Sequence, residues 1–166
     1  MRPSFLTWLF SHVPWLAERW AAHYEGVKSA DVPWTPLRKP LAQCRVALVT
    51  TAGVHLTDQP PFDMKDKQGD PSFRELPPTL EPGRWTITHD YYDHRDALAD
   101  VNIVLPLDRL RELAAAGEIG EVAPRHFSFM GHIDGPHIPE LTGRTAPQVA
   151  GLLQADRVDA AVLAPA

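Results

Sequence analysis

The sequence has very little cysteine, no long apolar run and no cluster of positive charge. Its 166 residues include one cysteine, Cys44, which excludes an internal disulfide, a CxxC redox pair and a thiolate-rich zinc site. No window reaches the ~18 apolar residues of a membrane span. The net charge of −5 and the lack of a Lys/Arg run give no electrostatic basis for binding nucleic acid. We therefore expect a cytoplasmic protein that binds neither nucleic acid nor membrane.

Several catalytic and nucleotide-binding signatures are also missing. The sequence contains no GxGxxG, no P-loop and no GxSxG, so neither nucleotide binding nor a serine hydrolase is supported. Cys44 precedes the first predicted strand, at the edge of a parallel sheet opposite the one where ligands bind. We therefore expect a buried, structural thiol there.

Proline is abundant instead, at 17 residues, and it divides the chain. Residues 3–24 place apolar side chains at helical spacing around Pro14, so residues 1–30 are expected to form an amphipathic helical arm that restarts at this proline. Three prolines within 29–41 predict an extended linker. Residues 31–166 are then expected to form one domain.

Apolar segments in this domain predict an α/β fold. The predicted strands are 45–51, 85–88, 101–105, 122–130 and 158–163. The predicted helices are 109–116, capped by Asp108, and 146–155, capped by Thr145. This alternation is typical of an open, mainly parallel sheet with flanking helices in Rossmann-like layers. Residues 57–84 are polar and rich in Pro and Gly, which predicts a long functional loop.

The last predicted strand has an unusual position in the chain. A strand buried on both faces normally has a covering helix nearby, yet only Ala164, Pro165 and Ala166 follow it. Ligands of open α/β sheets bind outside the carboxyl ends of the strands. The domain is therefore expected to be incomplete at its C-terminus, with exposed apolar surface around Val162 and Leu163.

Two loops gather imidazoles and carboxylates, at 89–94 and 132–137. If the loops meet in space, they offer the ligand set of a metal-dependent enzyme. The set is His89, Asp93, His94, His132, Asp134 and His137. Its spacing matches no metal motif, and solvated polar loops are the favoured explanation of these residues. A non-catalytic α/β scaffold subunit is a further alternative.

Other candidates follow the first strand or lie in the long loop. Thr51 and His55 flank a glycine turn at the carboxyl end of this strand, where a small anionic group can bind. Arg74 can hold a carboxylate with its guanidinium fork, or it can pair with Asp70 or Glu75 as a structural residue.

Seven segments, taken together and in order, resemble one known family. They are VPWTPL (32–37), VALVTTAGVHL (46–56), GDPSFRELP (69–77), HDYYD (89–93), DVN (100–102), LPLDRL (105–110) and FMG (129–131). In this order they resemble the selenoprotein B family of glycine, betaine, sarcosine and D-proline reductases. The sequence is most similar to the short, D-proline-reductase-like members, over roughly residues 32 to 166.

The resemblance implies an oxidoreductase that cleaves a C–N bond of a small amino-acid-like substrate, coupled to a disulfide. In the family the attacking group is a selenocysteine, or a cysteine, in a U-x-x-C motif. That motif would begin directly after Ala166, so the resemblance predicts no catalytic residue and no cofactor within this chain, and a selenocysteine in a full-length form read through a UGA codon. It also implies a pyruvoyl-type partner subunit and a thioredoxin-like dithiol donor; a homo-oligomer is open.

The resemblance places five candidate residues near the substrate. They are Thr51, His55, Arg74, His89 and Asp93. His89 or His55 would protonate the leaving amine, because an imidazole ordinarily has a pKa near neutrality. No residue is expected to hold a metal on this interpretation.

Overall fold

The computed structural model describes residues 13–23 and 35–166. Helix α1, Pro14–His23, begins at the proline that was expected to restart the arm, since the first turn of a helix tolerates the missing N–H. The rest of the predicted arm, at 1–12 and 24–30, lies outside the described residues. No helix in the described part of the chain is both long and apolar enough to cross a membrane.

The described residues form seven strands and five α-helices. The strands are β1 Arg45–Thr50, β2 Val54–Leu56, β3 Phe73–Leu76, β4 Trp85–Ile87, β5 Glu121–Val122, β6 His126–Phe129 and β7 Ala160–Ala164. The helices after α1 are α2 Arg95–Ala99, α3 Leu107–Ala115, α4 His137–Glu140 and α5 Ala146–Ala155, with a π-helical segment, Leu141–Thr145, between the last two. Short 3-10 turns lie at Leu41–Gln43 and Val101–Ile103.

The main sheet is built around β1 and is mainly parallel. β5 and β6 pair in parallel with the two halves of β1, and β7 also pairs in parallel with it. β3 adds an antiparallel strand beyond β6. The α/β class and the parallel sheet expected from the sequence are therefore confirmed.

Both faces of β1 are covered, as its continuous apolar run indicated. Val46 and Leu48 belong to one buried core together with Leu107 of α3. Val49 belongs to a second core that includes Phe127 of β6 and Val149 of α5. Because side chains alternate along a strand, these two cores lie on opposite faces of the sheet.

His126 closes the gap between β5 and β6. Its Nδ1 accepts a hydrogen bond of 2.9 Å from the backbone N–H of Leu48, a central residue of β1. The side chain thus replaces a backbone acceptor where the partner strand is interrupted, which satisfies a buried donor. Cys44, just before β1, is fully buried, as the sequence predicted.

Two predictions for the middle of the chain were wrong. The 57–84 loop contains β3, whose flanking Pro71 and Pro77 obscured it; prolines at the ends of an edge strand are tolerated. Residues 101–105 form a 3-10 turn at Val101–Ile103 rather than a strand. The carboxylate of Asp100 accepts the backbone N–H of Asn102, and such local bonds compete with strand pairing.

Predicted caps had mixed outcomes. Helix α3 begins at Leu107, with Pro106 at the N-cap position, so Asp108 lies inside the first turn and does not cap the helix. Thr145 is the N-cap residue of α5 but makes no capping hydrogen bond, because the π-helical segment runs directly into the helix.

The last strand, β7, lies at an edge of the sheet. It pairs with β1 along its whole length, and its other edge has no partner among the described strands. Val162 is 45% exposed and Leu163 is 72% exposed. The expected exposure of these apolar side chains is confirmed, whereas burial of the strand on both faces is not.

Candidate functional site

The turn that follows β1 holds the end of β7. The backbone N–H of Thr51 donates to the carbonyl of Ala164 at 3.1 Å. The Thr51 Oγ1 accepts the backbone N–H of Ala166 at 3.0 Å. Both bonds fix the carboxyl end of β7 beside the carboxyl end of β1, which is the edge where open α/β sheets bind ligands.

His89 lies against the same turn and is 4% exposed. Gly53, with a φ of +70°, leaves the necessary space, because a Cβ there would lie 3.2 Å from the Cβ of His89 and 2.4 Å from the carbonyl oxygen of Thr88. The backbone N–H of Tyr91 donates to the His89 Nδ1 at 3.1 Å. The close packing against Gly53 and the hydrogen bond to Nδ1 therefore both fix the position of the ring.

The Nε2 of His89 faces Gly131, the residue after β6. It is buried and has no hydrogen-bond partner among the described residues. A Cβ at Gly131 would lie 3.1 Å from this nitrogen, and 3.0 Å from the carbonyl oxygens of both Thr51 and Ala166. The unpartnered nitrogen thus lies beside the ends of three parallel strands.

Burial changes the proton affinity of His89. Burial is the largest cause, positive charge on His132 and His94 acts in the same direction and Asp90 opposes it; together they lower the pKa of the imidazole from 6.5 to about 4. The ring is therefore neutral at pH 7. A near-neutral pKa was the reason for expecting His89 to act as a proton donor, and its environment removes that reason.

Aromatic rings surround His89. Tyr92 meets it edge-on at 4.8 Å between ring centroids, and the Tyr92 hydroxyl donates to the carbonyl of Ala52 at 3.0 Å. Burial raises the pKa of Tyr92 to about 12, so its hydroxyl stays protonated. Tyr91 stacks on His132 at 4.3 Å. The loop after β4 is thereby fastened to the turn after β1.

His55, on β2, is buried to the same extent as His89 but is fully hydrogen-bonded. Its Nδ1 contacts the carbonyl of Leu56 and its Nε2 contacts the Thr88 hydroxyl, both at 2.8 Å. A carbonyl only accepts, so Nδ1 carries the hydrogen and Nε2 accepts from Thr88 in the neutral ring. This arrangement joins β2 to the end of β4 and leaves no ring nitrogen for a ligand.

Arg74 is occupied by the protein. Its guanidinium donates to the carbonyls of Pro60, Pro61 and Phe73 and to the Ser72 hydroxyl, at 2.8 to 3.0 Å. It also lies over the ring of Phe62, 4.3 Å from the centroid. Asp70 is 3.9 Å away, which fits the structural alternative considered for this residue. Few donors remain to bind a substrate carboxylate.

Asp93 lies on the surface just before α2. Its carboxylate accepts hydrogen bonds from the side chain and the backbone N–H of Arg95. These bonds lower the pKa of Asp93 to about 2. The residue is fully engaged at the start of the helix and contributes no free group to the turn after β1.

The two His/Asp loops do not assemble a metal site in the described part of the chain, where no group of three suitable ligands occurs. The Nε2 of His132 contacts the Lys67 carbonyl at 2.7 Å. The Nε2 of His137 contacts Asp66 at 2.8 Å. These contacts fasten the second loop to the 57–72 segment, so the metal-dependent alternative is not favoured.

Of the five candidate residues, Thr51 and His89 are brought together and the other three are engaged elsewhere. Sequence reasoning missed Gly131 and Tyr92 as parts of this arrangement. A glycine directly after a predicted strand was the available signal for Gly131, since a missing Cβ there allows close approach of other groups. Nothing in the sequence indicated that Tyr92 would bond to the turn after β1.

A family model described as glycine/sarcosine/betaine reductase selenoprotein B matches residues 16–166. The D-proline reductase subunit gamma of Acetoanaerobium sticklandii is 37% identical over 130 residues, covering 78% of this chain and 52% of that subunit. The glycine reductase complex component B subunit gamma of Carboxydothermus hydrogenoformans is 30% identical over 135 residues, covering 80% and 30%.

A third relative is the sarcosine reductase complex component B subunit beta of Peptoclostridium acidaminophilum. It is 29% identical over 123 residues, covering 69% of this chain and 27% of the relative. The chain therefore spans about half, or less, of the length of these curated relatives. No solved structure is significantly similar to it.

Proposed function

We infer that this chain is the amino-terminal part of a reductase subunit. The basis is its family: the chain belongs to the glycine/sarcosine/betaine reductase selenoprotein B family. The reaction proposed is reductive cleavage of a C–N bond in glycine, sarcosine, betaine or a D-proline-like substrate. The observation that carries the proposal is the meeting of Thr51, His89 and Gly131 at the end of β7. On our proposal the nucleophile follows at this place, directly after Ala166.

In the proposed full-length form, a selenocysteine or cysteine follows Ala166 and supplies a nucleophile that is ionised near neutral pH. A selenocysteine fits this position, because the neighbouring groups are a hydrogen-bonding hydroxyl and a buried, unpartnered imidazole nitrogen. After each turnover the oxidised nucleophile must be reduced again, and a dithiol supplies the two electrons by becoming a disulfide. We therefore propose a thioredoxin-like donor as one partner.

The chain's own residues would position that nucleophile. Thr51 holds the backbone of Ala166 through its hydroxyl, so the next residue starts from a fixed point. Gly131 leaves the space beside it, and Tyr92 keeps the turn after β1 in place through Ala52. The three residues thus orient the group that reacts, and their rigidity favours a productive geometry.

The names of the relatives support partner subunits, since they are subunits or components of reductase complexes. We propose that a pyruvoyl-type partner binds the substrate amine if the substrate is D-proline-like. Arg74, His55 and Asp93 remain outside the proposed contact surface, because each is held by neighbouring protein groups.

The test is turnover by a form read through the codon after Ala166. With a dithiol present, we expect ammonia, methylamine or trimethylamine from glycine, sarcosine or betaine, or ring opening of D-proline. The matched control replaces the residue after Ala166 with serine, which keeps the chain length and removes the nucleophile. A selenium-containing protein that converts none of the four substrates, with its partner subunits supplied, would overturn the proposal.

A further inference from the structure

The unused nitrogen of His89 has a defined chemical state. The backbone N–H of Tyr91 can only donate, so the Nδ1 that it contacts at 3.1 Å must be the acceptor nitrogen of the ring. In a neutral imidazole the other nitrogen then carries the hydrogen. His89 therefore presents an Nε2–H donor, not a lone pair, toward Gly131.

That donor has no acceptor among the described residues, although the Nε2 atom is buried. A buried donor without an acceptor costs free energy, and such groups in folded proteins usually have a purpose or a missing partner. The Nε2 atom faces Gly131, whose missing Cβ would lie 3.1 Å from this nitrogen and 3.0 Å from the carbonyl oxygens of both Thr51 and Ala166. An acceptor for this donor is therefore expected close to Ala166, where the chain leaves β7.

We propose that His89 is a neutral hydrogen-bond donor to an anion at the carboxyl end of β7, and that this anion is the thiolate or selenolate of the residue after Ala166. The identity of the anion rests on the function proposed above; the donor state of His89 does not. A hydrogen bond to the ionised form favours that form, so His89 would lower the pKa of the nucleophile. His89 is on this account a positioning residue rather than an acid.

Charge around His89 agrees with this role. Asp90, His94 and His132 are the titratable groups that act on it; burial, His132 and His94 all lower its pKa, and only Asp90 opposes them. A ring that stays neutral across the physiological range keeps its Nε2–H at every pH at which the nucleophile is ionised.

The first test uses the 166-residue chain itself. Proton–nitrogen NMR of ¹⁵N-labelled histidines distinguishes the Nε2–H tautomer from the Nδ1–H tautomer. We expect the Nε2–H form for His89, without protonation between pH 7 and 5. An Nδ1–H tautomer, or protonation of His89 near pH 6.5, would overturn the donor assignment.

The second test measures the anion directly. The chain is extended by one cysteine after Ala166 and a short flexible tail, and the rate of thiol alkylation is followed against pH. Cys44 is buried and serves as an internal unreactive thiol. We expect H89F, which removes the donor, to raise the pKa of the new thiol by about one unit, or about tenfold less thiolate at neutral pH.

Further variants of His89 distinguish the loss of a hydrogen-bond donor from the loss of side-chain volume. H89Q places an amide N–H near the position of Nε2 and should restore most of the thiolate, whereas H89F and H89L should not. Equal thiol pKa values in all four proteins would overturn the proposal. Adding glycine, betaine or D-proline to an extended chain with serine after Ala166 supplies a carboxylate instead; a shift of the His89 Nε2 resonance at millimolar ligand would assign the donor to substrate and overturn the nucleophile as its acceptor.

The outcomes also separate this inference from the proposed reductase. If the gene has no reading frame after codon 166 but His89 shows the Nε2–H tautomer, the donor state stands and the reductase fails. If the full-length protein turns over substrate while H89F leaves the thiol pKa unchanged, the reductase stands and the inference fails.

Discussion

Two histidines on either side of the glycine turn after β1 are buried equally, at 4% exposure, yet use their nitrogens differently. His55 bonds through both ring nitrogens, to Leu56 and Thr88, and is closed to any ligand. His89 bonds through one nitrogen and directs the other toward the ends of the parallel strands. Burial therefore does not distinguish a histidine whose ring nitrogens are both bonded from one with an unused nitrogen, whereas the hydrogen-bond partners do.

A similar contrast separates two larger regions of the molecule. In the 57–76 region, Arg74 is bound to three carbonyls and a hydroxyl. The edge formed by the ends of β1, β6 and β7 leaves a donor unsatisfied and an apolar strand exposed. The first region has the character of a support, and the second that of a place where other groups bind.

The largest expected effect is on the pH dependence of stability. The pKa values of His89 and His126 are about 4, below the ordinary value of 6.5, because both rings are buried. The unfolded chain therefore binds more protons, so stability is complete above pH 6.5 and falls as the pH drops toward 4, by about 3 kcal/mol for each histidine. Urea denaturation at half-unit pH steps measures this.

The variants H89N and H126N should each remove about half of that loss. The asparagine Oδ1 can accept the backbone N–H that the histidine Nδ1 accepts and does not titrate, so each variant isolates one imidazole. An unchanged slope between pH 6.5 and 4 in the double variant would show that other groups cause the acid sensitivity.

A somewhat smaller effect is expected for R74A, which tests the supporting region. It removes four hydrogen bonds and the contact with Phe62 from a side chain that is 12% exposed, and it should lower the free energy of unfolding by about 3 kcal/mol. The matched control is R95A, because Arg95 is 80% exposed and pairs with Asp93 on the surface. The control should change stability by about 0.5 kcal/mol or less.

If the two arginine variants were equally stable, the assignment of Arg74 as a structural residue would fail. In the longer form, R74A measured well below its melting temperature should leave the Michaelis constant for substrate nearly unchanged. A large rise in that constant without loss of stability would return Arg74 to the substrate site.

Two glycines with similar backbone angles form a matched pair. The expected difference in stability between their alanine variants is smaller than that between the two arginine variants. Gly53 has a φ of +70° and Gly83 a φ of +76°, but only at Gly53 would a Cβ strike neighbouring atoms. We expect G83A to cost about 1 kcal/mol for its backbone conformation. G53A should cost about 2 kcal/mol more, because the Thr88 carbonyl must move. Thermal denaturation of both variants measures the difference, and equal costs would contradict the close packing of this turn.

The smallest effect is expected for T51V. It removes the hydroxyl that accepts the Ala166 N–H and should lower overall stability by about 1 kcal/mol or less. Amide hydrogen exchange at Ala166 should nevertheless accelerate markedly. The comparison variant is T57V, whose exposed hydroxyl contacts Arg84 at 3.4 Å. If T57V accelerated exchange at Ala166 equally, Thr51 would not be what fixes the end of β7.

Much of the fold was predictable because its signals are local. The apolar run of β1 and the glycine turn after it both produced the expected elements. The pattern failed at 101–105, where the Asp100 carboxylate bonds to the backbone and overrides an apolar run that is otherwise strand-like. It also failed at β3, which depends on a partner strand far away in sequence.

The candidate site was predicted only in part. Thr51 was noted at the end of the first predicted strand and His89 in a His/Asp loop, and the family resemblance made both of them candidates; the structure brings both to the end of β7. Whether a side chain is already occupied is a property of distant contacts, so the engagement of His55 and Arg74 could not be read from composition or spacing. Gly131 contributes because it has no Cβ, which would lie 3.0 Å from the carbonyl oxygens of Thr51 and Ala166. These contacts join distant parts of the chain, so the sequence does not reveal them.

The central claim is that the nucleophile follows Ala166, and the most direct measurement is to read the gene beyond codon 166. The account predicts an in-frame UGA followed by coding sequence with a cysteine three residues later, and selenium in the protein isolated from its natural host. A UAA or UAG codon at that position, with a selenium-free protein of 18.5 kDa in the host, would contradict it.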